Sequence, residues 1–222
     1  MMARNQSRSS RRHLRFSPKL LVVGEGKVAE YQYFAQLGQR LKRLGGPGLA
    51  PIRPKKNDPV SVVRQVIRRK RDDALHGKFD AQRGDKAYAV LDVDPHDVER
   101  QGSLREAIGI ARKEEVCILL SNPCFEYWLL CHGARPEVLR RNYTDPSAVD
   151  AALRTAFGFG KAELLRDPNK YRELLPRVRD AIAIAKEIYE KNNSGPPDPL
   201  ASSACTTVYQ LVERLVGPPS NE

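Results

Sequence analysis

Short apolar runs separated by amphipathic stretches organise the first two thirds of the chain. Residues 20–24 (Leu-Leu-Val-Val-Gly) show no polar alternation, which fits a strand buried on both faces of a helix-covered parallel sheet. A helix is predicted over 28–37, followed by a glycine-rich loop at 45–48. Residues 49–53 read as a short second strand, interrupted by Pro51 and therefore near an edge. Asp58 or Ser61 caps a helix running to about His76, with Val63, Val66, Ile67 and Ala74 on its apolar face and Arg64, Arg68 and Arg71 on another. Residues 76–86 are polar and loop-like. A second strong buried strand spans 87–91 and ends in Asp92-Val93-Asp94. A helix over 103–113 starts with the capping box Ser103/Glu106. Residues 116–120 form the next strand, and Ser121 or Asn122 as cap with Pro123 in the first turn begins another helix.

Beyond Gly133 the pattern is helical, over 146–157, 167–192 and 206–216, with a Pro/Gly-rich linker at 193–199. Strands alternating with helices up to residue 133 predict an α/β fold with a mostly parallel sheet flanked by helices. The expected organisation is a basic arm at 1–17, an α/β catalytic domain at 18–133 and a C-terminal α-helical extension at 134–222 packed on it.

Composition narrows the partners. The chain has 222 residues, enough for one domain with an appendage, and its 41% hydrophobic share supports a core. A net charge of +11 points to an anionic partner, nucleic acid first, or serves solubility alone. The arm carries Arg4, Arg8, Arg11, Arg12, His13 and Arg15 without an acid, so it either grips phosphates or is a loose tail. Arg53, Lys55 and Lys56 join the helix arginines in a phosphate-facing patch, or each is simply solvated. Cys117, Cys124, Cys131 and Cys205 lack CxxC spacing, which favours buried thiols in a reducing cytoplasm over a zinc site. No segment approaches about 18 apolar residues, so a soluble, cytoplasmic protein is expected.

Chemistry concentrates at strand ends, where open parallel sheets bind ligands. Glu25, Asp92 and Asp94 follow the two strongest strands. If those strands are neighbours, the carboxylates converge on one rim, and alternation points Asp92 and Asp94 the same way. Crowded carboxylates raise each other's pKa until a cation relieves them, and hard oxygen donors suit Mg²⁺ or Mn²⁺. The plain reading makes them helix caps or partners for the many arginines. Glu126 is a further metal or water ligand, or a stabiliser of its helix N-terminus. Lys161, after Gly158 and Gly160, neutralises phosphate charge or is an exposed loop lysine. Trp128 reads as core, His132 as a charge or cap ending its helix, and His96 as a weak general-base candidate. Gly24-Glu25-Gly26-Lys27-Val28-Ala29 also fits the dinucleotide fingerprint G-x-G-x-x-A, although its glutamate would face a pyrophosphate.

The constellation of a Glu after the first strand and an Asp-x-Asp after a later one resembles the Toprim fold. Val22-Val23-Gly24-Glu25-Gly26 with Glu30-Tyr31-Gln32-Tyr33-Phe34, Leu91-Asp92-Val93-Asp94 and Ser121-Asn122-Pro123-Cys124-Phe125-Glu126-Tyr127-Trp128 resemble more closely the RloB-like family of bacterial defence proteins. Weaker echoes are Gly158-Phe159-Gly160-Lys161 and Thr207-Val208-Tyr209-Gln210-Leu211-Val212. Ala29 stands where that family usually has Thr, and residues 202–206 depart from its Asn-Pro-Ser-Thr pattern. The resemblance implies a metal-dependent phosphodiesterase acting on DNA or RNA in anti-phage defence, with Glu25, Asp92 and Asp94 holding Mg²⁺ or Mn²⁺. It also implies an operon-encoded ATPase partner of the RloA or ABC type, for which the helices from about residue 146 are the expected docking surface. The rival classes are a non-catalytic nucleic-acid-binding module and a dinucleotide-binding α/β protein.

Overall fold

The apolar runs form strands of one sheet covered by helices on both faces. The structure, a computed structural model, describes residues 17–192 and 203–217. Strands β1 (Lys19–Gly24), β2 (Gly48–Ile52), β3 (Lys86–Asp92), β4 (Cys117–Asn122) and β5 (Cys205–Thr206) lie in the order β2-β1-β3-β4-β5. The first four are parallel, and β5 pairs antiparallel to the end of β4. Pro51 sits in the edge strand β2, where a missing N–H is tolerated.

Alternation along each strand divides the core in two. Leu20, Val22, Tyr88, Val90 and Leu119 face α1 (Ala29–Arg43) and the helices after residue 133, whereas Leu21, Val23, Ala87, Ala89, Leu91 and Leu120 face α2 (Pro59–Leu75) and α3 (Val98–Lys113). Helix α2 begins as predicted, with Asp58 accepting from the Ser61 N–H at 2.8 Å and Pro59 in the first turn. It buries Val62, Val63, Val66 and Ile67. Ala74 is exposed, and Asp73 turns inward instead, gripped by Lys19 at 2.7 Å and Arg69 at 2.9 Å.

Two helix starts differ from the predicted ones. Helix α3 begins at Val98 with Asp97 as cap, so Ser103 lies inside it and Arg100 moves into its first turn. Asn122 caps nothing, because it remains in the ladder opposite Cys205; α4 (Glu126–Leu130) starts later, after a cis Asn122–Pro123 bond. His132 is no terminal charge either. It is wholly buried, its Nε2 3.1 Å from the Tyr33 hydroxyl, and burial pushes its pKa down to about 4, so the ring is neutral.

After α5 (Pro136–Leu139) and α6 (Pro146–Phe157), the stretch predicted as one helix from 167 is broken. A separate short helix, α7 (Lys161–Arg166), precedes it, and prolines at 168 and 176 leave α8 (Lys170–Leu174), a 3₁₀ turn (Leu175–Arg177) and α9 (Val178–Asn192) in its place. The predicted linker at 193–199 and residues 1–16 of the arm lie outside the described residues. The end of the chain contributes more than a helix: Cys205–Thr206 is the fifth strand, and only then does α10 (Tyr209–Val216) begin.

Leu211, Val212 and Leu215 of α10 belong to the same buried cluster as Leu20 and Val22. The extension is thus continuous with the sheet core, and residues 206–222 cannot be removed without stripping the fifth strand. Leu211→Ala is expected to destabilise the protein by about 2–5 kcal/mol in denaturant titrations. A chain ending before Thr206 should lose its cooperative transition; a normal unfolding curve from it would refute the continuous core.

Candidate active site

The parallel register brings the first two sheet-end acids together. β1 and β3 are neighbours, Gly24 lying opposite Val90, and the Glu25 N–H continues the ladder by donating to the Val90 carbonyl at 3.0 Å. The Asp92 N–H in turn donates to Glu25 Oε2 at 3.2 Å. Their carboxylates nevertheless lean to opposite faces. Asp92 follows Tyr88 and Val90 towards α1, whereas Glu25 forms an ion pair with Arg100 at the start of α3. The same guanidinium donates to the Asp92 carbonyl at 2.9 Å, tying the two strand ends together. Burial works against the Arg100 charge, but Glu25 more than offsets this and holds the guanidinium protonated.

Asp94 stands apart. The strand ends at Asp92, and Asp94 sits in the turn beyond it with φ 40°, its N–H donating to the Pro123 carbonyl at 3.3 Å. The zigzag that was to align it with Asp92 does not extend so far. Its charge acts on Arg100, and it is not part of the cavity wall.

That cavity, about 150 Å³, opens on the α1 side of the rim between Gly26, Lys27, Glu30, Asp92, Phe125, Glu126 and Lys161. Glu30, in the first turn of α1, was quoted in a motif but not expected in the site. It is 2% exposed, and its Oε1 accepts from the Gly26 N–H at 2.7 Å. A Cβ on Gly24 would overlap the Glu30 side-chain stem, and one on Gly26 would overlap its carboxylate. The two glycines are therefore clearance for Glu30. This counts against the dinucleotide fingerprint: the Gly26 N–H, which that motif offers to a pyrophosphate, is already donated to a carboxylate.

Glu126, 3% exposed, comes from the start of α4 and meets Lys161 Nζ at 2.8 Å. Partial burial works against the Lys161 ammonium, and Glu126 more than offsets it, so its pKa is raised. Lys161 is no idle loop residue. Its backbone N–H donates to Asp150 on α6, and the Gly160 N–H donates to Glu163 at 2.8 Å. Arg154 bridges Asp150 and Glu163 at 3.2 and 3.3 Å, closing a ring around the turn that aims the lysine at the cavity. Tyr171 of α8 adds an enclosed hydroxyl with no partner among the described residues, near enough to Glu126 and Glu30 for their charges to add to the effect of burial on its pKa.

Four carboxylates thus crowd one rim. Burial first, then the charges of Glu30, Glu126 and Glu25, push the Asp92 pKa well up, with Arg100 opposing; its Oδ1 is enclosed and unpartnered. Burial likewise raises Glu30 to about 7, with Glu126 and Glu25 adding and the Gly26 N–H opposing. As donors these oxygens suit a hard divalent cation. Among the described residues no three such side chains are close enough to form a ready-made metal shell, and Arg100 and Lys161 pair with Glu25 and Glu126. The donor chemistry fits Mg²⁺ or Mn²⁺; the expected triad of Glu25, Asp92 and Asp94 is not assembled as such.

Other expectations resolve simply. Trp128 is wholly buried. His96 is exposed on the turn after Asp94 and does not line the cavity. Among the described residues no disulfide joins the four cysteines, and no helix is long and apolar enough to cross a membrane. Sequence reading missed Glu30 and Arg100. The signal for Glu30 was its place one helical turn after a GxG; Arg100 was hidden by the misplaced start of α3.

The family model described as "RloB-like protein" matches residues 20–215. No curated protein and no solved structure matches the chain.

The raised Glu30 pKa makes stability depend on pH. With a folded value of about 7 against 4.5 unfolded, the folded state gains protons, so its contribution is complete below about pH 4.5 and is lost as pH rises through about 7. In metal-free protein, Glu30→Gln should therefore leave the melting temperature unchanged near pH 4.5 and raise it increasingly up to about pH 8. A difference independent of pH would mean that Glu30 is not held protonated by its surroundings.

Proposed function

Since the chain belongs to the RloB-like family, whose model spans 20–215, we propose that it is a metal-dependent phosphodiesterase of Toprim type acting on DNA or RNA. The observation that carries this reading is the crowding of Glu25, Glu30, Asp92 and Glu126 at one strand-end rim, with a buried Asp92 oxygen left unpartnered. Arg100 and Lys161 balance Glu25 and Glu126, which leaves Asp92 and Glu30 as the acids whose charge a bound cation would offset.

Asp92 is the central donor, with Glu30 and Glu126 beside it in the cavity wall; Glu25 and Asp94, the other ligands that the resemblance implies, lie outside that wall. A bound Mg²⁺ or Mn²⁺ would supply Lewis-acid polarisation of the phosphodiester and lower the pKa of an attacking water. The chain's own residues do the rest. Lys161 brings a permanent positive charge to the cavity mouth, where negative charge grows on the phosphorus-bound oxygens. Arg100 holds Glu25 in place and balances its charge. Burial of Cys124, whose thiol pKa is pushed well up, keeps a competing nucleophile silent.

The resemblance also carries two broader proposals: a role in anti-phage defence, and restraint by an operon-encoded ATPase of the RloA or ABC type. Co-expression of the tagged chain with the ATPase gene of its own operon tests the second by co-purification.

Asp92→Asn keeps the side-chain shape and removes one charge. Mg²⁺- or Mn²⁺-dependent cleavage of plasmid DNA or total RNA should fall by at least about 10²-fold, while the metal-free melting temperature stays equal or rises. Mn²⁺ should raise the melting temperature of the unmodified chain and do so less in the variant. Undiminished cleavage by Asp92→Asn would sink the catalytic assignment.

A further inference from the structure

The acid rim has a cationic neighbour. Strands β1 and β2 run in parallel register with Val23 opposite Ile52, so the chain leaves both at the same end, Gly24 beside Arg53. Four exposed cations cluster in the two loops that follow: Lys27 after β1, and Arg53, Lys55 and Lys56 after β2. Lys27 lines the 150 Å³ cavity itself. Among the described residues none of the four makes an ion pair. The one acid in the second loop, Asp58, is committed to capping α2 through the Ser61 N–H.

The loop that carries three of these charges is held rigid. Pro54 is buried beneath it. The Gln65 carboxamide of α2 clamps it from both sides, accepting from the Lys55 N–H at 2.8 Å and donating to the Arg53 carbonyl at 2.8 Å. The Arg53 guanidinium lies over the Tyr31 ring of α1, 4.4 Å from its centroid, so its direction is fixed too. Like charges held together at the surface repel; Asp58, the acid of the second loop, feels Lys56 but forms an ion pair with none of the four, so an anion bound from outside is their natural complement.

The arginines of α2 differ. Arg64 pairs with Glu106 at 3.9 Å and Arg71 with Glu114 at 2.7 Å, so that face is already partly neutralised. The cationic patch expected from sequence thus separates into a helix face on which Arg64 and Arg71 are paired, with exposed Arg68 between them, and a ridge on the rim without ion pairs among the described residues.

We propose that Lys27, Arg53, Lys55 and Lys56 form a binding ridge for the phosphate backbone of a polynucleotide, leading it from β2 across the mouth of the acid cavity. This deepens the phosphodiesterase reading and rests on it for the identity of the polyanion. Contacts of this type are independent of base sequence, so the ridge fixes the path of the strand and leaves base choice to other residues. Each phosphate neutralised by a fixed cation releases counterions, which makes the ridge visible in the salt dependence of binding.

The test uses the whole chain in EDTA, so that nothing is cleaved, with a short fluorescein-labelled DNA duplex and one of its strands as probes. Dissociation constants are measured across a salt series. Lys27→Gln/Arg53→Gln/Lys55→Gln/Lys56→Gln should weaken binding at least about tenfold at low salt and flatten the log–log slope by about two to three units. Lys27→Gln/Lys55→Gln/Lys56→Gln, which keeps Arg53 over Tyr31, should flatten it by about two and guards against a folding defect. Arg64→Gln/Arg71→Gln is the control and should leave the slope nearly unchanged. An unaltered slope in the ridge variants would overturn the proposal, and so would equal flattening in the control, which reports bulk charge alone. Cleavage measured separately with Mn²⁺ keeps the two readings apart. Flattened slopes without any metal-dependent cleavage leave the ridge standing and remove the phosphodiesterase; Asp92-dependent cleavage with unaltered slopes does the reverse.

Discussion

Mutual repulsion among buried carboxylates is the constraint on which the site depends. Glu25, Glu30, Asp92 and Glu126 stand at one rim, and charges of one sign in a partly desolvated place raise each other's energy steeply. The protein answers with two fixed cations, one on each side of the sheet: Arg100 from α3 on Glu25 and Lys161 from α7 on Glu126. What remains uncompensated is concentrated on Asp92 and Glu30, the two acids whose pKa values rise. Such an arrangement stores a demand for positive charge at one point, at a cost in stability that a hydrophobic rim would not incur.

Much of the surrounding architecture serves to aim these groups. Glycines 24 and 26 are stripped of side chains so that Glu30 can pass over the strand end. The sheet orders β1 beside β3, which makes Glu25 and Asp92 neighbours. The helical extension is not a bystander, since it delivers Lys161 through the Asp150–Arg154–Glu163 ring and places the Tyr171 hydroxyl behind the acids. Its last segment closes the sheet with β5 and fills the α1-side core with α10. Site and extension therefore share a single packing problem.

Charge is distributed unevenly around the rim. Negative side chains are gathered at the ends of β1 and β3, and positive ones without ion pairs among the described residues line the adjoining loops after β1 and β2. Elsewhere, on the α2 face, Arg64 and Arg71 are engaged by Glu106 and Glu114. A net charge of +11 alone distinguishes none of this; the pairing does.

The strands and the acids that end them were legible in the sequence because both signals are local. An unbroken apolar run such as Leu20–Val23 can only be satisfied by burial on two faces, and a glycine or aspartate at its end marks the rim. The cap of α2 at Asp58 and the edge position of Pro51 are equally local. Strand order, the separation of Asp94 from Asp92, and the partners of each carboxylate were not. Glu25 meets Arg100 across 75 residues of chain, and Glu126 meets Lys161 only because α6 and α7 fold back on α4. Glu30 illustrates the limit best: its position a turn after a GxG is plain in the sequence. That the glycines exist to let it pass is a fact of close packing, decided where strand end and helix start meet in space.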